Sequence, residues 1–450
     1  MPNFTRRQFV YGLSAIPLLL RDWPAFAQGQ ALNFTVDFDR IVAQSSPQNL
    51  GICCTTYGAT AISSEVLAQA ENSLDFRRVR IPIGYRDGRV TTSAQGAPTT
   101  LDIPRLVDWY RERNIRVLAV LGGRTTDIDI APGDAKRIAN AIGTDGIDFS
   151  SVNEPNTKGV DEVRTLRISR QILAELRQLE PELKLWGPVW AWYQREALEN
   201  WAKGMAEGFG GLSYHHYGMG TNSLPTAQAL AETATFGREV REMRGILRAL
   251  NLPEKVAVTE MNFSWRFDDG TPPDGKNRRF FSAVNTVWCA SVYGHILSSG
   301  GSANIYGNQN GPLGVWSQPN EPHLKELDLP DFAPMPAYRG AAAWTGARNF
   351  PHFKDSFYEV KGTTDTVELF AANNEANGYN LVLINKSESE THSLEIELKN
   401  CPPTTFALCQ SNRTQPFAAP QQTIRATPTN GKLNIALPPL TVATAVLQPH

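Results

Sequence analysis

Two carboxylates, Glu154 and Glu260, stand at the ends of apolar β-type runs, GIDFSSVNEP and KVAVTE. Carboxyl groups so placed can divide one reaction between them. One, kept protonated, hands its proton to a leaving oxygen, while the other, kept ionised, attacks the carbon which that oxygen leaves. At an anomeric carbon this is double displacement with retention and needs the groups about 5 to 5.5 Å apart; a gap of about 6.5 to 9.5 Å admits water and inverts. The two environments must differ for both protonation states to coexist, so a cation is expected beside the attacking carboxylate. A glutamate after a strand is ordinarily a solvated loop residue or a helix cap. These two stand apart because they occupy equivalent places three repeats apart in a repeating pattern.

That pattern is βα repetition. Strand-like runs fall at Leu50 to Cys54, Phe76 to Pro82, Arg116 to Leu121, Ile147 to Val152, Lys184 to Val189, Leu212 to His216, Val256 to Thr259 and Ala303 to Tyr306. Helical stretches lie between them, among them Ile103 to Arg113, Val163 to Leu179, Ala227 to Leu250 and Arg279 to Leu297. Eight such units predict an α/β fold, a (β/α)8 TIM barrel over residues 49–350, with functional groups at the C-terminal ends of its strands. Glu154 follows the fourth strand and Glu260 the seventh, so the two face each other across the mouth. After about Pro351 the pattern becomes alternating strands punctuated by Pro, Asn, Thr and Ser, which predicts a C-terminal antiparallel β-sandwich domain over 351–450. Residues 28–48 also alternate and are expected to give that sandwich a strand.

Residues 1–27 read as a twin-arginine-type signal peptide: Thr5-Arg6-Arg7-Gln8-Phe9, an apolar run from Val10 to Leu20, and a small-x-small site at Ala25-Phe26-Ala27. A periplasmic or secreted location is the expectation. No other segment has the roughly 18 uninterrupted apolar residues that a membrane span needs.

At 450 residues, 41% hydrophobic and 20% charged, the chain can bury a large core. A net charge of -2 without a basic stripe gives nucleic acid no foothold and favours a neutral partner, an oligo- or polysaccharide substrate. With neither CxxC nor HExxH, and no ligand spacing among the histidines, neither metal nor organic cofactor is expected. Cys53 and Cys54 are adjacent in a strand and point to opposite faces; with Cys289 they read as inert and buried, whereas Cys401 and Cys409 are able to close a short loop in an oxidising compartment.

Asn153-Glu154-Pro155 after the fourth strand and Thr259-Glu260 after the seventh resemble the motifs of the clan A retaining glycoside hydrolases, over about residues 31 to 450. A barrel followed by a sandwich resembles family 39 first, with families 30, 51 and 79 as alternatives. The resemblance implies Glu154 as acid/base, Glu260 as nucleophile and Asn153 on the substrate 2-hydroxyl. Arg80, in Arg78-Val79-Arg80-Ile81-Pro82 of the second strand, matches an arginine of similar family members and is the candidate cation. His215-His216-Tyr217 at the end of the sixth strand resembles the His-x-Tyr arrangement of related barrels, which makes His215 and Tyr217 candidate site residues. The activity implied is cleavage of a β-linked glycan or glycoside, with α-L-arabinofuranosidase or β-glucuronidase as alternatives. A non-catalytic carbohydrate-binding barrel is the reading outside enzymology, and a metal-dependent barrel hydrolase is disfavoured by the missing His and Asp clusters.

Trp190 and Trp192 after the fifth strand, Trp265 after the nucleophile and Trp316 after the eighth strand are candidate stacking platforms for sugar faces, with packing under loops as the alternative. Asn304, Tyr306, Asn308 and Gln309 offer polar groups beside the eighth strand, and the polar loop from Phe267 to Arg278 is expected to wall off a subsite. Asn320-Glu321-Pro322 repeats the motif string but follows a proline-flanked loop, so Glu321 is expected to be structural.

Overall fold

Apolar runs that are buried on both faces have one stable home, a parallel sheet covered by helices. The computed structural model describes residues 31–54, 74–92, 102–122, 130–219, 224–266, 278–307, 309, 311–317, 329, 333–345, 351–401, 404–411, 424–426 and 431–449. The proposed leader with Arg6 and Arg7, Asn308, Glu321 and residues 267–277 of the polar loop lie outside the described residues.

The chain enters through β1 (Leu32–Gln44), which belongs to the second sheet. The first sheet comprises β2 (Leu50–Cys53), β3 (Arg78–Arg86), β4 (Arg89–Thr92), β5 (Arg116–Leu121), β6 (Ile147–Ser150), β7 (Leu185–Trp190), β8 (Phe209–Met219), β9 (Val256–Ser264) and β10 (Ser302–Ile305). Parallel pairing runs from β2 through β10, β9, β8, β7, β6 and β5 to β3, and β2 pairs with β3, so eight strands close into a barrel with β4 as an antiparallel hairpin extension. All eight expected barrel strands are present. β8 and β9 run well past their expected ends, continuing their ladder beyond the functional residues: His215 is registered against Glu260, Tyr217 against Asn262 and Met219 against Ser264. Glu260 and Tyr217 therefore lie within strands, whose backbone bonds fix them, and not in the loops beyond.

The second sheet adds β11 (Phe353–Lys361), β12 (Val367–Asn374), β13 (Tyr379–Asn385), β14 (His392–Lys399), β15 (Thr404–Ser411), β16 (Ile424–Ala426), β17 (Lys432–Leu437) and β18 (Thr441–Pro449). Its order is β16-β15-β18-β13-β12-β11-β1-β14-β17, antiparallel except where β1 runs parallel to β14. Phe34, Leu369, Leu383, Ile396, Ile435 and Ala445 share one apolar cluster although they come from distant strands of that order, so the sheet folds over on itself as a sandwich. The residues between them on β12 and β13, Phe370, Val382 and Ile384, turn the other way into the barrel's own cluster.

The helix Ala283–Leu297 lies between the two layers and is buried almost throughout, as expected of a helix apolar on every side. A charged group crosses this junction: buried Glu368 on β12 accepts hydrogen bonds from Ser291 at 2.5 Å, from His295 Nε2 at 2.7 Å and from Lys386. Lys386 also donates to Thr233 at 2.7 Å. Burial pushes the Glu368 carboxyl up, but the charges and hydrogen bonds of His295 and Lys386 prevail and hold it at about 2. No helix among the described residues is long and apolar enough to cross a membrane.

Candidate active site

Strand alternation puts Arg78 and Arg80 of β3 on one face, and Arg80 reaches the C-terminal mouth of the barrel. It is 2% exposed. Nη1 donates to Glu260 Oε1 at 2.6 Å, and Nη2 donates to Asn153 Oδ1 at 2.5 Å and lies 3.4 Å from His215 Nε2. Because a guanidinium can only donate, His215 Nε2 must accept, and the ring proton is left on Nδ1. From there Nδ1 donates to Glu154 Oε1 at 2.8 Å and lies 3.5 Å from Glu260 Oε2. One arginine thus fixes a carboxylate, an amide and an imidazole tautomer together.

Glu260 is buried on β9, with both oxygens engaged: Arg80 holds Oε1, and the Tyr217 hydroxyl donates to Oε2 at 2.7 Å. Burial, then the charge of Glu260, pushes the Tyr217 ionisation well up, so its hydroxyl stays a donor. Between His215 and Tyr217, His216 points the other way, stacks on Phe236 at 3.9 Å and bonds Glu239 at 2.9 Å. Alternation along β8 explains why only the first and third members of His-His-Tyr reach the site.

Glu154 sits four residues beyond β6 in the left-handed region, φ 47° and ψ 52°. The following Pro155 disfavours the right-handed helical region for it. Its backbone N–H donates to Val189 O at 3.0 Å, and Val189 too has a positive φ, 60°. Two non-glycine residues in this region, each costing about 1 to 3 kcal/mol, concentrate strain at one point of the mouth. Burial pushes the Glu154 carboxyl up, but the hydrogen bond from His215, with the nearby charge of Arg80, outweighs it, and the net direction is down. One oxygen of Glu154, one of Glu260 and a ring nitrogen of His215 lie within 4.8 Å of one another. An approach this close is short of the wider spacing by which an inverting pair admits water. The same three atoms have the spacing of a metal site, but Arg80 already sets a fixed cation against Glu260 and the second ring nitrogen of His215.

The tryptophans divide. Trp192 and Trp265 are each 47% exposed, Trp265 with the Arg266 guanidinium over its ring, 3.8 Å from the centroid. Trp316 is 1% exposed, packed edge-on against Tyr338 with ring centroids 6.1 Å apart, and belongs to the barrel core; Trp190 is buried in the same core. Both are corrected from stacking platforms to packing residues, since a sugar needs an open ring face. Tyr306, at the end of β10, has its ring 6.1 Å from that of Tyr217, and burial, then the Glu260 charge, pushes its hydroxyl up. In the sequence this tyrosine stands out only as a polar group beside the eighth strand, and its place at a strand end is the signal that marks it for the site. Cys53, beneath the site, has its thiol pushed up to about 12 by burial and donates to Thr259 O at 3.2 Å. Cys401 is a free thiol.

The fold and site define a TIM barrel with two carboxyls at the ends of its fourth and seventh strands and a β-sandwich packed beside it. Comparison with solved structures finds the same architecture in glycoside hydrolases. The GH51 arabinofuranosidase of Xanthomonas axonopodis pv. citri superposes with TM-score 0.69 at 14% identity, over 92% of this chain and 99% of that one. The GH39 enzyme of the same organism gives 0.63 at 14% identity, over 94% and 98%. A GH30 endoxylanase from Clostridium papyrosolvens C71 gives 0.62 at 14% identity, over 92% and 99%. Families 51, 39 and 30 are among those that a barrel followed by a sandwich resembles. No protein-family model matches the sequence, and no curated protein matches it.

Proposed function

We propose that this protein is a retaining glycoside hydrolase that cleaves a β-linked glycan or glycoside by double displacement, with Glu260 as nucleophile and Glu154 as acid/base. The observation that carries the reading is the approach of a Glu154 oxygen to a Glu260 oxygen within 4.8 Å, with Arg80 and Tyr217 on one carboxylate and His215 on the other. In the first step Glu260, held by Arg80, attacks the anomeric carbon while Glu154 gives its proton to the leaving oxygen. Esterification removes the charge of Glu260, and Glu154, now ionised and bonded by His215, takes a proton from the water that releases the sugar. Asn153, oriented through Oδ1 by Arg80, keeps its amide N–H groups for the substrate 2-hydroxyl. Likeness to the GH51 arabinofuranosidase supports a second reading of the same chemistry, on α-L-arabinofuranosides.

A panel of aryl β-D-glycosides and an aryl α-L-arabinofuranoside distinguishes these substrates. On the preferred one, Glu260→Ala should be inactive and be partly rescued by azide to a glycosyl azide of inverted configuration, and Glu154→Ala should give the retained azide. Turnover that survives Glu260→Ala without azide would sink the assignment, and inactivity of the wild-type protein on every glycoside would favour a carbohydrate-binding barrel. We also propose export through the leader at residues 1–27. Replacing Arg6 and Arg7 by lysine should keep the protein in the cytoplasmic fraction.

A further inference from the structure

The Arg78-Val79-Arg80 segment sends two guanidinium groups to the same face of β3, and the chemistry above uses one of them. Arg78, one pleat nearer the strand's start, lines a cavity of about 240 Å³ at the end of the barrel opposite Glu154 and Glu260. The walls are first residues of strands and their approaches, including Arg116, Asp148, Trp186, Lys255 and Ser302. Arg78 is 3% exposed and lies over the Trp186 ring, 4.9 Å from its centroid. Trp186 is itself seated on Gly211, where a Cβ would come within 2.4 Å of the ring.

Charge in the cavity is unbalanced. Nε and Nη2 of Arg78, the edge of a guanidinium that grips an oxyanion with two parallel bonds, have no hydrogen-bond partner among the described residues. The nearest carboxylate, Asp148, stands 3.5 Å from Nη2 and is occupied by Arg116, whose Nε and Nη2 take its two oxygens at 2.7 and 2.6 Å. Glu254, the other acid in the wall, is held by Arg248 at 2.7 and 2.8 Å and by Arg244 at 3.1 Å. Lys255 adds a further positive charge that acts on Asp148. A buried guanidinium with two nitrogens lacking a hydrogen bond is costly, and a cavity walled by surplus cations lowers that cost by taking in an anion.

We propose that this cavity is a binding site for a small oxyanion, of the carboxylate, sulfate and phosphate class, anchored by Arg78 and attracted by Lys255. Arg116 is 42% exposed along its side chain, so an ion has a way in from solvent. The site is separate from the catalytic mouth and does not depend on the glycosidase reading.

Crystals of the full chain soaked in sodium selenate should show an anomalous selenium peak in the cavity within hydrogen-bond distance of Arg78. Thermal unfolding with sulfate titrated against chloride at constant ionic strength should show a saturable rise of about 3 °C in Tm. Arg78→Met should abolish that rise, and Lys255→Gln, a change at the cavity rim that serves if the first variant fails to fold, should raise the half-saturating sulfate concentration at least fivefold. Water alone in the soaked cavity overturns the proposal, and so does a sulfate response unchanged in Lys255→Gln.

Discussion

Replacing His215 by phenylalanine isolates the link between the two carboxyls, since the ring is kept and both nitrogens are lost. Nδ1 donates to Glu154 Oε1 at 2.8 Å, and after burial, which works the other way, this bond is the strongest influence on the Glu154 carboxyl. A hydrogen bond to a charged group contributes about 1.5 to 3 kcal/mol, so losing it should raise the Glu154 pKa, burial being left to push the same way. The bond from Arg80 to Glu260 is left in place. Glycosylation needs Glu154 protonated, so kcat/KM falls as pH rises through its pKa. Raising that pKa moves the fall to higher pH. The assay is kcat/KM against pH for a phenyl glycoside, whose leaving group needs the proton, beside a dinitrophenyl glycoside, whose leaving group does not. An alkaline limb that stays in place or moves to lower pH for the phenyl substrate would refute the wiring.

Tyr217→Phe removes the donor on Glu260 Oε2 and should lower kcat/KM about 10- to 100-fold with little change in Tm, by steady-state kinetics beside thermal unfolding. Lys386→Met leaves Glu368 buried with one cation fewer and should destabilise the protein by about 3 to 5 kcal/mol in urea titrations. Glu368, held at about 2 against an ordinary 4.5, contributes stability that is complete above pH 4.5 and lost as pH falls towards 2; Glu368→Gln should flatten Tm against pH in that window. Trp192→Ala and Trp265→Ala should raise KM for an oligosaccharide and leave Tm unchanged, whereas Trp316→Ala should destabilise by about 3 to 5 kcal/mol without a selective change in KM.

The barrel was legible because its strands are buried on both faces, and an uninterrupted apolar run carries that information locally. The pair Glu154 and Glu260 was legible through the same regularity, equivalent positions on a repeat. What escaped was set by contacts distant in sequence. Trp316 reads as a loop aromatic, but its segment returns to pair with Pro334 and packs on Tyr338, which no local pattern announces. The strand Phe353–Lys361 mixes Lys, Asp, Ser and Glu with its aromatics and was missed, because one of its partners is β1, more than 300 residues earlier. The helical run at Ala227 to Leu250 is divided into Thr226–Ala231 and Thr233–Ala249, a break carried by geometry at Glu232 and not by a proline or glycine. Arg78 was visible only as a neighbour of Arg80, since no spacing rule says which acids other arginines will occupy.

The position of β1 between β11 and β14 governs how the polypeptide can be made. Thr35 donates to Glu397, 362 residues further on, so at about 5 to 20 residues per second a nascent first strand waits on the order of tens of seconds for its neighbours. Throughout that wait Phe34, Val36 and Phe38 have no layer to cover them, and they are where a holding chaperone would act. Truncation after this segment would strip two strands of their edge partners and invite aggregation. The β-rich domain is consequently not an appendage to be trimmed or exchanged by a single cut, because one of its inner strands is supplied from the other end of the chain.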